Sequence, residues 1–294
     1  MVRNTVAIIG GSGVHDSPLF AGLEWKRFDT EYVESEFVSG TTTQDRGNVE
    51  YQQGDGVIFI PRHGHNVRYG PSRTQYAANL IAAKELGAKI VIATSAVGSL
   101  IDDMKVEDLV VPLDYIDESG RNDNLFGIDV IVHANPRPAF SEQLRAILIE
   151  KATEEIYFRQ VHHDGRYVTI PGDRFGTTAE GKKRAGYADI VGMTICPEAS
   201  MAMQLDLHYA VAAFVVDNDT DASHENGTLE VMQRLSASER VPMFITRVVE
   251  RAQTLELPSR LPQLDGNIIP GDIRKIENQY LRKAAEELIA KYCR

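Results

Sequence analysis

A single α/β domain built around a buried sheet is the fold that the sequence predicts, and three observations carry that expectation. Short β-branched runs alternate with longer helical patterns along the chain. Several of the short runs are apolar almost throughout, as strands covered on both faces are. A length of 294 residues, 43% of them hydrophobic, suffices for one sizeable core.

Strands are expected over Thr5–Ile9, Gly56–Ile60, Lys89–Ala93, Leu109–Tyr115, Tyr167–Ile170, Ile190–Val191 and Tyr209–Val216. Helices are expected over Thr74–Leu86, Ser141–Glu154, Thr178–Gly186, Pro197–Leu205, Leu229–Thr254 and Asp272–Tyr292. Gly87 supplies a stop for the first of these. Pro197 suits a first helical turn, where its missing N–H costs nothing. Pro242 should kink or split the fifth. The polar, Gly/Thr-rich segment Arg27–Gln53 and the segment Glu118–Pro138 read as loops or short antiparallel ribbons. Leu257–Gly271, punctuated by prolines and glycines, reads as a surface linker into an amphipathic last helix. Residues 257–294 are thus a linker and a C-terminal helix appended to one domain spanning 1–294.

The charge balance excludes some partners. With 31 basic and 42 acidic residues the net charge is −11, which argues against a nucleic-acid or anionic-lipid surface. A local basic pocket for a small phosphorylated ligand remains compatible with it. Cys196 and Cys293 are far apart and fit neither a disulfide framework nor a metal spacing, so a reducing compartment is expected. Met1–Ile9 does not read as a signal peptide. No stretch reaches the about 18 uninterrupted apolar residues of a membrane helix. The expectation is a soluble, cytoplasmic protein.

Chemistry-bearing residues gather just beyond predicted strands, where open α/β sheets bind ligands. Ile8-Ile9-Gly10-Gly11-Ser12-Gly13 runs from a strand into a glycine turn in which backbone amides and the Ser12 hydroxyl can meet an anion. Neither a dinucleotide fingerprint nor a Walker lysine accompanies it, and a plain tight turn fits as well. Pro61-Arg62-His63-Gly64-His65 places a guanidinium and two imidazoles after the second strand, where they can grip phosphate oxygens or form a solvated basic turn. No zinc spacing surrounds the histidines. Thr94-Ser95-Ala96-Val97-Gly98-Ser99 offers small hydroxyls and free amides, with a helix cap as the alternative. Phe175 can stack on a flat base and Thr194 can donate to an anion, although Phe175 and Met193 also suit core packing. Asp217-Asn218-Asp219 follows the last strand, and its two carboxylates point to one side of an extended chain. They suit an exocyclic amine and a ring nitrogen of a purine. A cation loop is the alternative, without EF-hand spacing.

Taken in order, these segments resemble the methylthioadenosine/purine nucleoside phosphorylase family. The likeness is carried by Ile9-Gly10-Gly11-Ser12-Gly13, Pro61-Arg62-His63-Gly64, Gln75-Tyr76-Ala77-Ala78-Asn79-Leu80, Ala96-Val97-Gly98-Ser99-Leu100, Asp114-Tyr115-Ile116-Asp117, Gly172-Asp173-Arg174-Phe175, Met193-Thr194, Pro197-Glu198-Ala199 and Asp217-Asn218-Asp219. It covers roughly Val6 to Leu235, so the tail lies outside it. The resemblance implies a distorted central mixed sheet flanked by helices, a homo-oligomer that is usually a trimer, and phosphorolysis of a purine nucleoside without any cofactor. Inorganic phosphate would be the co-substrate, held by Ser12, Arg62, His63, Ser95, Ala96 and Thr194. Ribose would rest on Met193, and Phe175 would flank the base. Asp217, Asn218 and Asp219 would surround the base edge, with Asp219 as the acid and Asp217 orienting, or the reverse. Two aspartates resemble the 6-aminopurine pattern, so the expected substrate is 5'-methylthioadenosine or a related 5'-modified deoxyadenosine. A 6-oxopurine nucleoside, a hydrolytic nucleosidase and a silent nucleoside-binding protein are the alternatives.

Departures from the family cluster around base and sugar. Asp173 replaces the usual proline before Arg174-Phe175, and Gly176 replaces a Ser or Thr. Ala77 stands for an arginine, Tyr115 for a glutamine and Asn218 for a tyrosine. Gly176 is therefore a candidate specificity position.

Overall fold

The computed structural model of the protein describes residues 3–11, 14, 17–32, 47–127, 130–155, 157–221 and 228–292. Strands in chain order are β1 (Thr5–Gly10), β2 (Lys26–Asp29), β3 (Asn48–Gly54), β4 (Val57–Pro61), β5 (Ala88–Ser99), β6 (Leu109–Val110), β7 (Asp114–Asp117), β8 (Val130–Val132), β9 (Val161–His162), β10 (Arg166–Thr169), β11 (Ile190–Gly192), β12 (His208–Asn218) and β13 (Ile268–Pro270). Helices are α1 (Tyr76–Glu85), α2 (Glu142–Glu154), α3 (Thr178–Arg184), α4 (Glu198–Gln204), α5 (Thr228–Ala237), α6 (Arg240–Ala252) and α7 (Gln279–Tyr292).

Alternation along the central strands explains the layers. On β1, Val6 and Ile8 join one hydrophobic cluster while Ala7 and Ile9 join the other. On β12, Ala210, Ala212 and Phe214 face the first, and Tyr209, Val211, Ala213 and Val215 the second. A strand with both side-chain rows apolar must be covered twice. α2 and α6 cover one face through Leu144, Ile147, Leu148, Phe244, Ile245 and Val248. α1, α4 and α7 cover the other, α1 being buried over most of its length.

The sheet is mixed and it branches, as the expected distortion requires. Its main path runs β2-β3-β4-β1-β5-β11-β10-β7, while β12 also pairs with β5 and carries β6 and then β9. β5 is the branch point. Up to Ala93 it lies parallel between β1 and β12. Beyond Ala93 it leaves β1 and pairs antiparallel with β11, Gly98 with Val191 and Ser99 with Ile190.

Several expectations are corrected. Thr94–Ser99 neither lies beyond a strand nor caps a helix but is the second half of β5, because β12 follows it to Ser99 and β11 takes its other edge. The strand foreseen over Leu109–Tyr115 is two, β6 and β7, which pair with different neighbours on either side of Pro112. β12 runs past Val216 to Asn218, with a register shift between Val215 and Asp217. The long helix over Leu229–Thr254 is split, but at Ser238-Glu239 rather than Pro242, which sits harmlessly in the first turn of α6. Residues 272–292 give a short 3-10 turn at Ile273–Lys275 and then α7. The tail is also no surface linker: Leu261, Leu264 and Ile268 are buried, and β13 pairs with β8.

Candidate active site

The parting of β1 and β5 opens a crevice. Their pairing ends at Ile9 and Ala93, and the diverging ends wall a cavity of about 720 Å3. Gly10 at the end of β1 and Gly11 after it, Arg62 and His63 after β4, Thr94–Gly98 on β5, Gly192 closing β11 with Met193 and Thr194 beyond it, and Asp217 on β12 with Asp219 just past its end all face it. Most of the expected site residues are therefore neighbours in space: Arg62, His63, Ser95, Ala96, Phe175, Gly176, Met193, Thr194, Asp217 and Asp219 line the one cavity. Two stand apart. Ser12 lies outside the described residues. Asn218 does not line the cavity; its Oδ1 accepts from the Thr220 amide at 2.9 Å and the Thr220 hydroxyl at 2.8 Å, closing a turn instead.

At the end nearest β1 and β4 the groups are donors. Arg62, 2% exposed, gives Nε to Glu198 Oε2 at 3.0 Å and Nη2 to Glu198 Oε1 at 2.9 Å. It also donates to the Thr94 carbonyl at 2.6 Å and the Ile9 carbonyl at 3.0 Å. Tyr209 completes the carboxylate, its hydroxyl donating to Glu198 Oε1 at 2.7 Å. Burial alone would weaken the guanidinium charge, but the paired Glu198 outweighs it and raises the Arg62 pKa. A guanidinium has five N–H groups, so these contacts leave one on Nη1 for a ligand. The two-pronged grip expected of Arg62 is thus spent on Glu198. That carboxylate sits at the start of α4 within Pro197-Glu198-Ala199, a segment quoted for the family likeness but given no role in the sequence.

His63 is held by the Thr74 hydroxyl, 3.1 Å from Nδ1. Burial and the neighbouring Arg62 charge push its pKa down to about 4, so it faces the crevice as a neutral ring. Ser95 Oγ and Thr194 Oγ1 stand 3.2 Å apart, nearly buried. Together with one N–H of the charged Arg62 guanidinium, these are short donors around a space open to an anion.

The opposite end is acidic. Asp217 Oδ2 accepts from the Thr228 hydroxyl at 2.6 Å, and its Oδ1 accepts from the Asn218 amide at 2.7 Å. The Asp219 carboxylate fits between two glycines: a Cβ on Gly98 would come within 2.6 Å of its Oδ1, and one on Gly176 within 3.0 Å of its Oδ2. The Asp219 amide donates to the Ser99 carbonyl at 2.9 Å. Gly176 therefore has a steric role beside the carboxylate, which accounts for a residue smaller than Ser or Thr there. Phe175, 58% exposed, is at the rim rather than in the core. Asp173 ties this rim to the facing turn, accepting from the Ser72 hydroxyl at 2.8 Å and the Ser72 amide at 3.2 Å.

A third wall is apolar and was not foreseen. Phe59, Phe214, Met232, Leu235 and Val241 line it, with the Trp25 ring tilted against His65 at its edge, centroids 4.2 Å apart. The available signal was the apolar face of the helix after Asp219, which was read only as helix. Arg121 was missed as well; its Nη1 donates to the Met193 carbonyl at 2.9 Å and the Cys196 carbonyl at 2.7 Å, and its Nη2 to the Pro171 carbonyl.

The sequence matches the family model described as the Phosphorylase superfamily over residues 5–252. Among curated proteins, S-methyl-5'-thioadenosine phosphorylase of Hyperthermus butylicus is 36% identical over 255 residues, which cover 85% of this chain and 89% of that one. The protein of the same name from Saccharolobus solfataricus is 37% identical over 224 residues, covering 75% and 79%. Among solved structures, methylthioadenosine phosphorylase from an antarctic soil metagenomic library superposes with a TM-score of 0.81 at 26% identity, covering 97% of this chain and 99% of that one. Methylthioadenosine phosphorylase from Schistosoma mansoni in complex with tubercidin gives a TM-score of 0.73 at 26% identity, covering 99% of each chain.

Proposed function

The chain belongs to the phosphorylase superfamily, and from that premise we propose that it cleaves 5'-methylthioadenosine with inorganic phosphate, releasing adenine and a pentose 1-phosphate. The observation that carries the reading is the polarity of one crevice: hydrogen-bond donors at one end and two carboxylates at the other, with an apolar wall in the same cavity. Breaking an N-glycosidic bond leaves positive charge on the sugar and negative charge on the departing base. Phosphate at the donor end stabilises the first and attacks the anomeric carbon, while a carboxylic acid at the other end protonates the base.

In this assignment Arg62, His63, Ser95, Thr194, the Ala96 amide and Ser12 hold the phosphate. Ribose rests on Met193 and Phe175 covers the base. Asp219 is the proton donor, and Asp217, oriented by Thr228, accepts from the exocyclic amine. Carboxylates accept hydrogen bonds, which suits a 6-amino group; a 6-oxo group would require a donor there, so a 6-oxopurine substrate is not favoured. Phosphate is the co-substrate and no cofactor takes part. Among the described residues no helix is long and apolar enough to cross a membrane. The proposal includes a cytoplasmic homotrimer, on the family resemblance, to be checked by sedimentation.

The test is incubation with a nucleoside panel with and without phosphate, released bases being identified by chromatography. Adenine from 5'-methylthioadenosine only when phosphate is present is the expected result. Equal release in both buffers would make the protein a hydrolase, and no release from any nucleoside would reduce it to a binding protein.

A further inference from the structure

Tyr167 belongs to no motif and does not line the crevice, yet it is in contact with the phosphate end. It sits on β10, fully buried, with its hydroxyl 2.9 Å from Ser95 Oγ. Ser95 Oγ is in turn 3.2 Å from Thr194 Oγ1, and both of those residues face the crevice. The neighbouring strand makes room for the phenol: a Cβ on Gly192 would fall on the Tyr167 hydroxyl, so only glycine fits there. Burial pushes the phenol pKa upward, which keeps it a donor at all working pH values.

Counting hydrogens gives the arrangement a direction. Each of the three hydroxyls carries one hydrogen and can accept. Ser95 Oγ has two acceptors within reach, Thr194 Oγ1 at 3.2 Å and the Ala96 carbonyl at 3.4 Å; with the Ser95 hydrogen on the nearer of them, the Ser95–Thr194 pair has one hydrogen left. With the Tyr167 hydrogen placed on Ser95 Oγ, Ser95 donates to Thr194 and the spare hydrogen leaves from Thr194 into the crevice. We propose that Tyr167 is a positioning residue whose buried hydroxyl, acting through Ser95, directs the Thr194 O–H at the phosphate. This rests on the reading of that end of the crevice as the phosphate site. No covalent bond is made or broken; the relay only fixes which way the donors point.

The decisive variant is Tyr167→Phe, which keeps the ring and removes the hydroxyl. The loss of one ordered neutral hydrogen bond predicts a rise of roughly five- to tenfold in the phosphate KM, with the nucleoside KM unchanged. A merely structural Tyr167 would disturb both substrates, so parallel rises in both KM values would overturn the relay. Thr194→Val separates the two layers of the argument. If Thr194→Val raises the phosphate KM and Tyr167→Phe leaves it alone, the relay is wrong and the phosphate site stands. If neither variant moves it, the phosphate site itself is misplaced. Should Tyr167→Phe fail to fold, Ser95→Ala and Thr194→Val carry the test in combination. Donors in series predict that the double variant is little worse than the poorer single one, and losses that multiply would overturn the series.

Discussion

At the scale of single residues, the site is set by what small side chains permit. The Asp219 carboxylate occupies space that a Cβ on Gly98 or Gly176 would claim, so its position is fixed from both sides. Asp219→Asn keeps the shape and removes the proposed proton donor; kcat should fall by about 10²–10⁴-fold, the usual range for general acid catalysis, with the melting temperature nearly unchanged. Gly98→Ala should bring part of the same fall, because the added methyl displaces the carboxylate. Steady-state kinetics on both variants checks this, and an unchanged kcat in a folded Asp219→Asn protein would pass the role to Asp217. The aspartates were legible in sequence because acidic residues at the end of an apolar strand require a purpose. The glycines that frame Asp219 were not, since a glycine's neighbours across the fold leave no local trace. Glu198 escaped for the same reason: its partner is 136 positions away along the chain, and nothing in Pro197-Glu198 announces a buried ion pair.

Among the elements, α7 has the clearest consequence. The sequence foretold an amphipathic helix outside the family motifs, and its apolar face packs on the core through Leu281, Ala285 and Leu288. Asn278, just before it, donates to the Thr30 carbonyl at 2.7 Å and accepts from the Leu281 amide at 3.0 Å. Leu281→Ala should therefore cost roughly 2–5 kcal/mol in denaturant unfolding, as truncation of a buried leucine does, with kcat preserved in the folded fraction. A loss below about 1 kcal/mol would mean that the site repacks around the deletion. Strands β1, β4, β10 and β11 were readable to within a residue or two because both of their faces are apolar. The second half of β5 was not. Thr94-Ser95-Ala96-Val97-Gly98-Ser99 carries small and polar residues that look like a loop, and its strand geometry comes from β11 and β12, long-range partners that no local pattern encodes. The same tertiary override split the Leu109–Tyr115 run in two.

For the whole molecule, the buried histidines set how acid is tolerated. His63 has a folded-state pKa of about 4 against 6.5 when free, and His208, held between Ser141 Oγ at 3.0 Å and the Pro258 carbonyl at 2.7 Å, is lowered as well, chiefly by burial. Between these limits the unfolded chain binds more protons than the folded one, so stability rises with pH. On acidification it is fully present above about pH 6.5 and is lost progressively toward pH 4. His63 alone accounts for on the order of 2–3 kcal/mol, allowing for its partial exposure. Urea midpoints at pH 7, 6 and 5 should fall in that order, and His63→Asn should flatten the trend; a flat profile in the unaltered protein would contradict the neutral burial of these rings. A last consequence follows from the divergence of β1 and β5. Much of the crevice is walled by strands that are themselves central to the sheet, so the reacting groups acquire their spacing only when the sheet closes. A half-folded population would have no dilute version of the catalyst to offer. Turnover then becomes a census of native molecules, and each molecule either counts in full or does not count.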